Sequence, residues 1–109
     1  MDEQANNPVP VQPLANLDKI IHAPARLSIL AYLYVVESAD AVLLKNLTEL
    51  SWGSLSMHLD KLEEAGYVTI EKGFKGKKPQ TMIYLSEHGR AEFREYKQNL
   101  QQILNDLPE

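Results

Sequence analysis

Cysteine is absent from the chain, which excludes disulfides, thiol nucleophiles and cysteine-held metals and fits a reducing cytoplasm. Long apolar runs are missing too. Nothing approaches the roughly 18 to 20 consecutive apolar residues of a bilayer-crossing helix. The first residues, MDEQANNPVPVQPL, are polar and hold no apolar stretch of the kind a secretory signal uses, so a cytoplasmic location is expected. Histidine is scarce, and His22, His58 and His88 stand far apart on different segments. With no glycine-rich phosphate cradle and no nucleophile elbow either, an enzyme is the least expected class. Positive charge is outnumbered, 11 Lys and Arg against 15 Asp and Glu for a net charge of −4. Contact with a polyanion must therefore come from a local cluster rather than from the surface as a whole.

What is present suits one folded domain: 109 residues, 44% of them hydrophobic, allow a single modest core. Pro8, Pro10 and Pro13 predict a flexible or extended arm over residues 1–14. A first helix is expected from about Ala15 to His22, carrying Leu17, Ile20 and Ile21. Pro24 suits the first turn of a second, over Pro24 to Glu37. That second helix is apolar nearly all round, with Leu27, Leu30, Ala31 and Tyr34 on one stripe and Ile29, Tyr32, Leu33 and Val36 on another, so it must be central or shared with another subunit. Ser38-Ala39-Asp40 breaks it, a short extended piece is expected at Ala41-Val42, and a third helix at Leu43 to Glu49 carries Leu44 and Leu47.

Leu55, Leu59 and Leu62 recur at i, i+4 and i+7 in a fourth helix, over residues 52–65. Ser51 is placed to cap it, Leu50 and Leu55 occupy the positions of a hydrophobic staple, and Gly66 stops it. The third and fourth helices, joined by a tight turn, read as a helix-turn-helix. Beyond Gly66 the period changes to two, with Val68 and Ile70 alternating against Thr69 and Glu71, and Ile83 and Leu85 against Met82 and Tyr84. That predicts a hairpin whose connection, residues 73–79, projects into solvent. Lys72, Lys75, Lys77 and Lys78 crowd its tip. Edge lysines also discourage strand pairing between molecules, but a basic hairpin directly after a capped helix of this length is placed to follow phosphates while the helix enters a groove.

The last helix is expected over 87–107, capped by Ser86 and begun by Glu87. Phe93, Tyr96, Leu100, Ile103 and Leu107 follow in steps of three and four, the spacing of a coiled-coil seam whose natural partner is a second copy. The other arrangement folds this helix back on its own domain.

With these residues assembled, the chain from Leu14 to Leu107 resembles the winged-helix transcriptional regulators, in particular the small stand-alone group related to the MarR and ArsR repressors. The resemblance rests on LDKIIHAPARLSILAYL from Leu17, on LSMHLDKLEEAGYVTIEKGFKGKKPQT from Leu55 and on YLSEHGRAEF from Tyr84. It implies an α+β, mostly α fold: a winged helix-turn-helix over 15–86 with a two-stranded hairpin wing, and a C-terminal dimerisation helix over 87–109 packed on the same domain. It further implies a homodimeric, sequence-specific regulator that binds double-stranded DNA, with no cofactor and an effector the residues do not name. The terminal helices would form the dimer interface, with Leu17, Ile20 and Ile21 from one end and Phe93, Tyr96, Leu100, Ile103 and Leu107 from the other.

Opposite the leucine stripe, the recognition helix presents Gly53, Met57, Asp60 and Lys61, with Ser54 and Ser56 nearer the edges. The serines suit base edges or phosphates, Met57 a thymine methyl, Lys61 phosphate or guanine, and Gly53 a close backbone approach to phosphate. Trp52, the single tryptophan, either lines DNA or packs against Leu44, and packing is the favoured reading. Lys72, Lys75, Lys77 and Lys78 complete the expected DNA-binding set. Asp60 and Glu49 depart from the family pattern, placing carboxylates where basic or neutral residues and glycine are usual, which shifts the burden of affinity to the wing. Metal sensing of the ArsR kind is not expected, because His88 with Glu87, Glu92 and Glu95 lacks a second histidine at helical spacing. The alternative is a winged helix that docks on protein.

Overall fold

Asp18 decides how the described part of the chain begins. The computed structural model describes residues 14–109, so the expected arm over 1–14 lies outside the described residues apart from Leu14. Leu14 and Ala15 are helical, but the chain is turned from Asn16 to Ala23 instead of forming the helix expected to His22. The carboxylate of Asp18 accepts from the amides of Ile20 (2.8 Å) and Ile21 (3.2 Å), which diverts them from a helical ladder. Its other oxygen accepts from the Tyr67 hydroxyl.

Helix α1 runs Pro24–Val36 with proline in its first turn, and buries Ile29, Leu30 and Leu33. It is central, one of the two arrangements its composition allowed, and its exposed large hydrophobic residues are Val35, on neither stripe (79% exposed), and Val36 at its end. Glu37 ends it at a φ of 73°. The next three residues, Ser38–Asp40, form strand β1, which starts three residues before the extended piece expected at Ala41-Val42. The reason is a cap: Asp40 accepts from the Leu43 amide at 2.8 Å and starts α2 at once, over Ala41–Thr48. Glu49 then takes a left-handed conformation at φ 58°, the conformation a glycine would adopt without strain.

Ser51 caps α3, Trp52–Glu64, by accepting from the Ser54 amide at 3.1 Å, and Leu55, Leu59 and Leu62 are buried as their spacing predicts. Gly66 follows with φ 80°. Strands β2 (Val68–Lys75) and β3 (Lys78–Leu85) pair antiparallel from Val68↔Leu85 to Lys75↔Lys78. The expected seven-residue loop is thus mostly strand, closed by the two-residue turn Gly76-Lys77. Only Gly76 has positive φ (64°), the pattern of a type II′ turn that matches strand twist. The sheet has three strands rather than two, in the order β1-β3-β2, with Ala39 opposite Ile83.

Helix α4, Glu87–Asn105, is capped by Ser86, whose hydroxyl accepts from the Gly89 amide (2.8 Å) and donates to the Gly66 carbonyl (2.6 Å). Phe93 packs against the Tyr34 ring of α1 with centroids 5.1 Å apart. Of the residues expected in a dimer seam, Leu17, Ile21, Phe93, Tyr96 and Ile103 are all at most 6% exposed within the single chain. This apolar row is satisfied by the chain's own core, and Ile20 and Leu100 are packed at its margin. Leu107 is exposed, and so is Leu104, which the heptad reading passed over.

Candidate nucleic-acid interface

A helix with one buried leucine stripe must show water its other side, and α3 does so with chemically useful residues. Gly53, Ser56, Met57, Asp60, Lys61 and Glu64 line one open, shallow depression along its outer face. Ser54 is half-buried beside them. The sequence-predicted groove face is therefore assembled on one surface, and it carries Glu64 as well as the expected Asp60. Two carboxylates there oppose phosphate, while either can accept from a cytosine amino group.

Trp52 corrects the expectation that it packs against Leu44. The indole is 52% exposed, with the Lys45 ammonium 5.5 Å from the ring centroid. It borders two clefts, one between α3 and the sheet and one between the start of α2 and the wing. One, of about 390 Å³, is floored by Leu55, Leu59 and Ile70 and edged by Lys72. The other, of about 320 Å³, lies toward the wing tip and is reached by Lys75 and Lys78.

All four wing lysines are exposed. Strand alternation divides them: Lys72 shares the face of Val68 and Ile70 toward α3, whereas Lys75 and Lys78 share the opposite face. Lys75 and Lys78 are direct cross-strand partners. Like charges so placed destabilise a hairpin, a cost that a bound anion would relieve.

The other flank of α3 holds contacts that sequence reasoning missed. Arg26, at the start of α1, donates from Nη1 to His58 Nδ1 (2.9 Å) and from Nε to the Ile20 carbonyl (2.6 Å). His58 thus has its partner 32 residues away in the sequence. Burial holds its pKa below the usual histidine value, with the Arg26 and Lys61 charges adding to that. Tyr67, just past α3, is anchored on Asp18, and its hydroxyl is pushed far above the ordinary tyrosine range by burial first and by that bond second. His22 Nδ1 lies 2.7 Å from the Tyr96 hydroxyl. The Asp18–His22 turn is thus tied to α3 at two points, through Arg26 to its middle and through Tyr67 to its exit, and also to α4. No single-residue signal marks such a junction, because each partner is distant in sequence.

Among the described residues no group of three or more His, Asp or Glu side chains stands close enough to hold a metal ion. Nor is any helix there long and apolar enough to cross a membrane.

This arrangement, a capped helix with a polar outer face beside a basic hairpin, coincides with a family model described as winged helix DNA-binding domain, which matches residues 25–104. The chain belongs to that family. This winged helix is 34% identical over 89 residues to an uncharacterized protein of Methanocaldococcus jannaschii, the match covering 82% of this chain and 97% of the relative. Among solved structures, the transcriptional regulator homologue protein from Pyrococcus horikoshii OT3 is similar with a TM-score of 0.81 at 25% identity, over 89% of this chain and all of that one (100%). A MarR-family transcriptional regulator from Silicibacter pomeroyi shares the fold with a TM-score of 0.60 at 21% identity, covering 91% of this winged helix and 68% of its own chain. The resemblance to MarR regulators read from the sequence therefore holds for the fold, and the family is one of DNA-binding domains.

Proposed function

We propose that the protein is a sequence-specific transcriptional regulator that binds duplex DNA as a homodimer, with α3 in the major groove and the wing, residues 72–79, on the phosphate backbone. The observation that carries this reading is the pairing of an exposed polar helix face with four exposed lysines beside it, in a chain of net charge −4. Ser54, Ser56, Met57 and Lys61 are the side chains placed to read bases. Gly53, at the helix start, lets backbone amides approach a phosphate, and half-exposed Trp52 sits where the strand would pass between helix and wing.

The test is binding of the purified protein to a labelled random-sequence duplex pool across a salt series, followed by selection and sequencing. The expected result is a steep salt dependence and an enriched two-fold symmetric motif with half-sites roughly 34 to 36 Å apart. The acidic residues Asp60 and Glu64 on the groove face favour a second reading, docking on a basic protein partner, and absence of duplex binding even at low salt would select it.

Dimerisation falls to different residues than the heptad pattern implied. With Ile103, Tyr96 and Phe93 in the core, the seam left to a second copy is Leu100, Leu104 and Leu107. Each such side chain fully buried between subunits would contribute roughly 1.5 to 3 kcal/mol. Leu104→Asp with Leu107→Asp is therefore expected to give a folded monomer by sedimentation and to abolish the symmetric motif. A parent chain that already sediments as a monomer at micromolar concentration would remove the two-half-site model.

A further inference from the structure

Arginine can only donate hydrogen bonds, and this fixes the state of its partner on the recognition helix. Because Arg26 Nη1 donates to His58 Nδ1 at 2.9 Å, that nitrogen must hold a lone pair, so the imidazole is neutral with its proton on Nε2. The guanidinium is itself held by the turn before α1, through the Ile20 carbonyl at 2.6 Å and the Lys19 carbonyl at 3.5 Å. It is therefore a fixed bracket, and His58 is the point where the bracket grips α3. His58 lies one residue from Met57 and three from Lys61, on the flank of the face that would meet the groove.

We propose that the Arg26–His58 bond positions α3 for DNA and that protonation of His58 breaks it, so that duplex affinity is lost on acidification. This rests on the DNA-binding reading above. A protonated His58 would have no acceptor for Arg26 and would confront a cation at hydrogen-bonding distance. Among the described residues, the charged groups that act on the ring are Arg26 from α1 and Lys61 from its own helix, both positive, and none comes from α2 or β2, which also pack on α3. Its partial burial and these two charges place the transition below the ordinary histidine value of about 6.5. The sign follows: above that value the ring is neutral and the bracket intact, and both stability and binding fall as the pH drops through the lowered folded pKa.

The expected dependence opposes simple electrostatics, since an added positive charge beside DNA would strengthen binding in acid. Duplex anisotropy measured from pH 8 to pH 5 at constant ionic strength should show affinity constant down to about 6.5. Below the transition it should fall, by up to about tenfold per pH unit for each His58 in the complex. His58→Asn, whose Oδ1 takes the place of Nδ1 as the acceptor for Arg26 and does not titrate, should lose the acid dependence. Arg26→Met should bind weakly across the range. Affinity that is flat or rises in acid, or a slope that survives in His58→Asn, overturns the proposal.

NMR titration of the imidazole, without DNA, supplies a readout that stands apart from the DNA-binding reading. It should find the Nε2–H tautomer, a pKa below the ordinary value, and a rise in that pKa in Arg26→Met. A protein that binds no duplex at pH 7.5 refutes the DNA-binding reading and with it the link to affinity. A His58 that titrates at or above 6.5 refutes the bracket itself.

Discussion

Gly89→Ala is expected to unfold much of the chain at temperatures where the parent is stable. A Cβ on Gly89 would fall on the Tyr67 carbonyl oxygen, well inside van der Waals contact, and 2.8 Å from the carbonyl carbon. Neither side can retreat. The Tyr67 carbonyl accepts from the Ser86 amide at 3.0 Å, and the Gly89 amide donates to the Ser86 hydroxyl at 2.8 Å, so the exit of α3 and the entry of α4 are bolted together at this point. Backbone overlap of this kind belongs with the severe overpacking cases, at about 3 kcal/mol or more. For a domain of this size that lowers Tm by roughly 12 to 24 °C. Calorimetry or thermal circular dichroism checks it, and an unchanged Tm would mean that α4 does not dock on the Gly66–Tyr67 corner.

Charge reversal of the wing tests function rather than folding. Lys75→Glu, Lys77→Glu and Lys78→Glu together would turn about six phosphate contacts in a dimer into repulsions. Duplex affinity at about 0.1 M salt should fall at least a hundredfold, and the log–log salt slope should shrink by about five. The three side chains are exposed, and reversal preserves the facing of two like charges at the Lys75–Lys78 rung, so hairpin stability is left nearly as it was. Loss of binding then reports on phosphate. Unchanged affinity with an unchanged slope would show that the wing is not the clamp, and would favour the protein-docking reading of the Asp60 and Glu64 face.

The parts of the fold legible in the sequence were those set by local chemistry. Pro24, Ser51, Gly66 and Ser86 mark helix ends by what their own backbones and hydroxyls do, and the leucines of α3 fix its buried side. Ser54, Ser56, Met57 and Lys61 followed from that stripe by simple rotation. Competition between a local bond and a longer pattern was not legible. Asp18 dissolves an apparently helical segment by capturing two amides, and Asp40 moves a helix start by two residues. Strand β1 was expected too late, at Ala41-Val42, because three residues show no period and its place depends on β3, more than forty positions away. The row on α4 was ambiguous for a related reason: steps of three and four suit a partner helix and the chain's own core equally, and in the single chain Phe93, Tyr96 and Ile103 are buried in that core. The Arg26–His58 contact belongs to the same class, being long-range and polar.

Strand β1 also divides the wing mechanically. Its three residues pair with Met82, Ile83 and Tyr84, so the root of the hairpin is the middle of a three-stranded sheet anchored between α1 and α2. From Thr81 outward β3 has only β2 for a neighbour, and the rung next to the turn holds two facing lysines. The wing is thus a cantilever, rigid where it meets the helix-turn-helix and compliant over its outer ten residues. Its root fixes the angle at which the lysines leave the body, and in the proposed complex its tip would adjust to the local path of the duplex backbone. Variation in groove width between operators would accordingly be absorbed by the hairpin tip, leaving α3 in the same register on every site.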